Sequence, residues 1–192
     1  MKLLRNLLLI VLIIPFFSSC GYNTMVNKEE TVESQWANVQ DAYQRRADLI
    51  PNLVNTVKGY AEHEQETFKE VIEARSKATS TTIDAGNLDA DKLAQFQQAQ
   101  QGLSGALSKL MVVVEKYPDL KANTNFLALQ DQLEGTENRI STERRRFNEA
   151  AKEYNQYTRN FPQNIVAMIF GFDKKPYFEA QAGSDRAPEV EF

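Results

Sequence analysis

The sequence predicts an all-α protein: an elongated antiparallel up-and-down bundle of long helices, three of them, or four if the first is broken near Pro51. Two observations carry this. Apolar residues recur every three or four positions over most of the chain, which builds one buried stripe along a helix. Only eight glycines and six prolines occur, and several of them fall between the periodic segments. The 192 residues suffice for one domain with a sizeable core.

The first element is a leader. Lys2 and Arg5 form a short basic start, Leu7 to Phe17 is apolar throughout, and Ser18-Ser19-Cys20-Gly21 places small residues around the only cysteine. This is the layout of a secretory signal cleaved between Ser19 and Cys20, with lipid added at the Cys20 thiol as in a bacterial lipobox. Phe17 stands where lipoboxes usually carry leucine. An uncleaved membrane helix is the alternative, but it needs roughly 20 apolar residues, and Arg5-Asn6 and Pro15 interrupt the run. A buried core helix with an ordinary free cysteine is the third reading. The expected division is signal peptide 1–19, anchor and short linker 20–24, helical domain 25–172, and a mostly disordered tail 173–192. The mature body is expected outside the cytoplasm, lipid-anchored to an envelope membrane and facing the periplasm or exterior.

Loss of Lys2 and Arg5 with the leader moves the net charge from −4 to −6. A mildly acidic body argues against nucleic acid and against anionic headgroups as partners. With Cys20 acylated no intrachain disulfide forms, so packing alone stabilises the fold.

From Met25 the first stripe holds Val32, Trp36, Val39, Tyr43, Ile50, Leu53, Val57, Tyr60 and Val71, with Phe68 a step out of phase and polar interruptions at Arg46 and Glu64. The heptad phase runs straight through Pro51, which favours one kinked helix. As one helix, Met25 to Ala78 would span roughly 80 Å, twice the next segment, so lengths favour a break with Asp48 as cap and Pro51 in the following first turn. Thr79 to Asp91 reads as a loop. The next helix starts after Asp89, an N-cap, with Leu93, Phe96, Leu103, Leu107, Leu110 and Val114 as its stripe. Gly102 and Gly105 weaken it by up to about 1 kcal/mol each, a cost that is tolerable if a neighbouring helix packs closely against them. Tyr117-Pro118 ends it.

The last long helix runs from Asn123 or Thr124 to about Asn160, burying Phe126, Leu129, Leu133, Ile140, Phe147, Tyr154 and Phe161. Phe147-Asn148 and Tyr154-Asn155 repeat seven residues apart. Their asparagines either fix register across helices or form a solvated flank beside the aromatic stripe. Pro162 to Phe172 is short and strongly apolar, and it either docks on the bundle or forms a partner patch.

Little chemistry is in view. His63 is the only histidine, so a two-histidine zinc helix and a paired Glu-x-x-His di-iron site are both excluded. No catalytic residue, metal ligand or cofactor motif is assigned, and His63 reads as a polar face residue. Arg144-Arg145-Arg146 reads as a solvated face paired to glutamates. Arg45, Arg46, Asp48 and Asn52, beside the proline, form either a capping network or a surface that a partner reads.

Longer motifs are present. Tyr22-Asn23, Trp36, Arg45-Arg46-x-Asp48-Leu49-Ile50-Pro51-Asn52-Leu53-Val54 and Lys58-Gly59-Tyr60-Ala61-x-His63-Glu64 are followed by Ala74-Arg75 and by Glu115-x-Tyr117-Pro118-Asp119-Leu120-Lys121-Ala122-Asn123. Asn125-Phe126, Leu129-Gln130, Glu134-Gly135-Thr136-Glu137-Asn138-Arg139-Ile140, Phe147-Asn148, Tyr154-Asn155 and Phe161-Pro162 complete the series. Over residues 22 to 179 the chain resembles the LemA family. The resemblance implies an all-helical bundle on a bacterial membrane, its body outside the cytoplasm, with no established enzymatic activity. Many such proteins carry a transmembrane helix directly before the Tyr-Asn pair, the place held here by the lipobox-like run. The expected function is a membrane-tethered helical scaffold or adaptor for other envelope proteins. A passive, self-associating structural lipoprotein and a hydrolase with an unrecognised site are the alternatives.

Overall fold

The computed structural model describes residues 2–179, with side chains described from Gly21 onward. The expectation of an all-α chain holds, since the elements among the described residues are helical. They are α1 (Lys2–Lys58), α2 (Gln65–Ser80), α3 (Ala90–Val114), the single turn α4 (Pro118–Lys121), α5 (Thr124–Arg159) and α6 (Gln163–Phe170), with a 3-10 turn at Ala85–Asn87 between α2 and α3.

The break expected at Asp48 is absent. α1 runs straight through Pro51, and the chain turns instead at Gly59–Glu64. Proline costs a helix the hydrogen bond to the carbonyl four residues back. Here that carbonyl, on Ala47, accepts from Arg75 Nε of α2 at 2.7 Å, so the ladder loses no partner. The exposed Pro51 ring also faces away from the core. α1 therefore ends seven residues after the proline, at Lys58, and α2 begins at Gln65.

Cross-helix pairs set the directions. Lys28 meets Glu153, Arg46 meets Glu137, and Tyr60 meets Asn123, so numbers fall along α5 as they rise along α1. Lys109–Glu70 and Lys116–Glu64 show the same opposition between α3 and α2. Caps fix where helices begin. Asp89 accepts from the Lys92 N–H at 2.8 Å, as the sequence predicts, and Asn123 accepts from the N–H groups of Asn125 and Phe126 at 2.9 and 3.0 Å, which places the start of α5 where it is expected.

Two apolar clusters form the core. One gathers Val32, Trp36, Tyr43, Phe96, Ile140, Phe147 and Tyr154. The other gathers Ile50, Leu53, Val57, Phe68, Val71, Leu103, Leu110 and Phe126. Most stripe residues are buried as expected, but Tyr60 is 44% and Phe161 81% exposed. Both sit just past a helix end, where the heptad phase no longer describes the direction of a side chain. The condition of close packing is not met at Gly102 and Gly105. A Cβ at either would meet nothing within 4 Å, so no helix packs closely there.

The body does not stop at Phe172. Residues 173–179 lie extended along α5, with Phe178 buried against Trp36 (ring centroids 5.9 Å) and Phe147 (5.4 Å). The disorder expected from 173 onward therefore does not describe residues 173–179, and the expectation for 180–192 lies outside the described residues.

The asparagine repeat makes this strap, which neither sequence reading anticipated. Asn155 Nδ2 donates to the Lys175 carbonyl at 2.8 Å and its Oδ1 accepts from the Lys175 N–H at 2.9 Å. Asn148 does the same for Phe178, at 3.1 and 2.9 Å. An amide side chain offers one donor and one acceptor in a plane, so each asparagine pairs with a backbone as a neighbouring strand would.

Candidate functional site

The two apolar clusters meet at a polar hub. Arg46 lies between Tyr43 of one cluster and Ile50 of the other, and only 3% of it is exposed. Its Nη2 donates to Gln100 Oε1 at 2.7 Å and to the Gln100 carbonyl at 3.3 Å, while Nη1 reaches Ser104 Oγ at 3.0 Å and Glu137 Oε2 at 3.1 Å. The guanidinium also sits over the Tyr43 ring, 5.1 Å from its centroid. Only arginine offers a planar fork that serves acceptors on two helices at once. Gln100 extends the network by donating from Nε2 to the Ala78 carbonyl in the last turn of α2. The hub therefore joins α1, α2, α3 and α5.

The hub residue was marked in the sequence, but with the wrong companions. Arg45 and Asp48 are exposed on the other side of α1, where they line a shallow groove with Gln132, Thr136 and Arg139 of α5. Asp48 accepts from Gln44 Nε2 at 2.7 Å. Asn52 is exposed, and only its carbonyl is engaged, by Thr56 Oγ1. With α1 unbroken, none of the four caps a helix. The partners that matter, Gln100, Ser104 and Glu137, lie far away in sequence, and their sole signal is Arg46 itself, one of two polar interruptions in an apolar stripe.

Next to the hub a groove opens between α3 and α5. It has a volume of about 430 Å³, an apolar floor of Leu107, Met111 and Leu133, and a polar rim of Ser108, Gln130, Glu134 and Glu137 with Arg46 at one end. The arrangement suits an amphipathic segment, with an apolar face for the floor and donors for the glutamate rim.

His63 lies exposed in the α1–α2 turn. Burial pushes the Tyr43 phenol up, against the opposing pull of Arg144 and Arg46. Burial also raises the Tyr154 phenol, reinforced by Glu29 and Asp173. Among the described residues no group of three or more His, Cys, Asp or Glu is placed to hold a metal ion. Arg144 is not simply solvated: it donates to the Glu179 carbonyl at 2.9 Å and lies over the Phe178 ring at 4.8 Å. Arg146 pairs with Glu143 at 3.0 Å. The cleavage and lipidation expectations at Ser19 and Cys20 fall on side chains outside the described residues.

Long helices joined by a buried arginine hub and closed by a C-terminal strap define an all-helical protein. Within that class the chain belongs to the LemA family, whose model matches residues 35–192. It is 28% identical over 183 residues to magnetosome protein MamQ 2 and, equally, to magnetosome protein MamQ 1 of Paramagnetospirillum magneticum. Those matches take in 85% of this chain and 66% of each relative, so the chain spans just under two thirds of their length. Protein LemA of Metamycoplasma hominis is 26% identical over 160 residues, covering 82% of this chain and 68% of that one.

Proposed function

We propose that this protein is a membrane-tethered scaffold of the bacterial envelope, an up-and-down bundle that seats a helical segment of another envelope protein between α3 and α5. The observation that carries the adaptor reading is the groove floored by Leu107, Met111 and Leu133 and rimmed by Glu134 and Glu137. The tether rests on the apolar run Leu7–Phe17 and on Cys20. Lipid at that thiol is the favoured attachment, because two or three acyl chains hold a protein at a membrane while one is marginal. The magnetosome proteins named above support a place among envelope proteins without specifying a partner.

Photo-cross-linking in intact cells tests the groove. A cross-linker at Met111 is expected to trap a discrete partner, the adduct is expected to vanish with Leu133→Asp, and a cross-linker at the neighbouring exposed Val112 is expected to trap none. Adducts made only of the protein itself would favour the self-associating alternative. Extraction of a Cys20→Ser variant tests the anchor. If it stays processed and as firmly attached as the wild type, the thioether reading is wrong.

A further inference from the structure

The apolar segment after α5 has a use the scaffold reading does not absorb. α6 has the sequence Gln-Asn-Ile-Val-Ala-Met-Ile-Phe, without a charged side chain. It rests on the body through Ala167, which is buried, while Ile165, Met168, Ile169 and Phe170 are 44%, 78%, 69% and 57% exposed, and Phe161 just before it is 81% exposed. Gly171, in the left-handed region at φ 76°, ends the helix and turns the chain back into the strap. An apolar surface so concentrated, on an otherwise charged body, implies a partner.

Its position identifies that partner. Lys28 pairs with Glu153, so in the opposed register of α1 and α5 the last α5 residue, Arg159, falls level with residue 22. α6 follows directly and lies at that end of the body. The Tyr22 ring packs edge-on against Phe170 and Phe172, with centroids 5.0 and 5.5 Å apart. Tyr22 is two residues from Cys20 and five from the end of the apolar run, about 8 Å along a helix. Lipid on the thiol and an uncleaved apolar helix therefore bring the bilayer to the same place, beside α6.

We propose that α6 is a membrane-docking helix that lies in the bilayer interface with Met168 and Ile169 among the acyl chains, holding the body at a fixed angle to the membrane. This rests on the tether reading. An apolar helix face lying in the interface plane binds in proportion to the apolar area it buries, and the absence of charge on α6 removes the cost of desolvating an ion. Phe161 and Tyr22 flank it as aromatic groups suited to headgroup depth.

The test uses the full chain, purified from bacterial membranes and reconstituted in vesicles of phosphatidylethanolamine and phosphatidylglycerol. Nitroxide labels are placed at Met168→Cys, at Ile169→Cys and, as control, at Val112→Cys, which is 64% exposed on α3. Flotation of the vesicles reads the tether independently. Docking predicts that the labels at 168 and 169 collide several-fold less with a water-soluble nickel chelate than the label at 112, and more with oxygen. If the protein floats but 168 and 169 meet the chelate as readily as 112, docking is overturned and the tether stands. Labels shielded from both agents would mean a protein cover, which also overturns it. Failure to float removes the tether and the docking together.

Discussion

Arg75 makes the hydrogen bond that Pro51 cannot. The Ala47 carbonyl, four residues before the proline, accepts from Arg75 Nε at 2.7 Å, and Ala47 itself is only 2% exposed. A buried carbonyl without a donor costs about 1–3 kcal/mol. Arg75→Ala is therefore expected to destabilise the protein by about 2 kcal/mol. In a Pro51→Ala background the helix regains its own donor, and the cost of losing Arg75 should fall below about 1 kcal/mol. Urea unfolding of the four variants measures the coupling, and purely additive losses would contradict this account.

The hub predicts a different asymmetry. Removing Arg46 leaves Oε1 of Gln100, a residue only 6% exposed, without its donor. Arg46→Met is expected to cost about 3 kcal/mol, because buried polar groups lose a charged donor. Glu137 is 58% exposed at its side chain and rehydrates freely, so Glu137→Gln should cost less than about 1 kcal/mol. Equal effects in denaturant titrations would show that the ion pair, rather than the buried fork, carries the energy.

The strap offers an optical reading. Trp36 is the only tryptophan, donates from Nε1 to the Ile83 carbonyl at 3.0 Å, and is covered by Phe178. Phe178→Ala removes that cover at a cost of about 3 kcal/mol or less. Acrylamide quenching of Trp36 should rise, and should rise again with Asn155→Asp, whose second carboxylate oxygen faces the Lys175 carbonyl that the amide now serves. Unchanged quenching in both variants would mean that the strap does not protect the core.

Two glycines mark sites for stabilisation. At Gly102 and Gly105 an added Cβ meets open space on helical backbone. Alanine at each is expected to add up to about 1 kcal/mol by restricting the unfolded chain. Thermal unfolding should shift upward for both, and a downward shift would reveal a contact that alanine disturbs.

Acid should weaken the start of α3. The Lys92 N–H hydrogen bond to Asp89 holds that carboxyl below its ordinary value of 3.8. A depressed folded value means the ionised cap contributes above 3.8 and that this contribution fades as pH falls through the lower folded value. Asp89→Asn keeps an acceptor without the titration. The variant should show a flatter loss of stability at acid pH, and an identical slope would exclude the cap as its source.

The sequence by itself determined the helical stripes, the cap at Asp89, the start of α5 near Asn123, and the motifs that carry the family resemblance. These are local, set by spacing and by one side chain meeting a backbone a few residues away. Only the tertiary structure decided that α1 survives Pro51, that Arg46 and not its neighbours forms the hub, and that two asparagines clasp a strap beyond α6. Each of these depends on a donor or acceptor delivered from a distant segment, through Arg75, Gln100 or the Lys175 backbone. Periodicity records which face of a helix is buried, but it holds no information on which remote polar group arrives to satisfy that face.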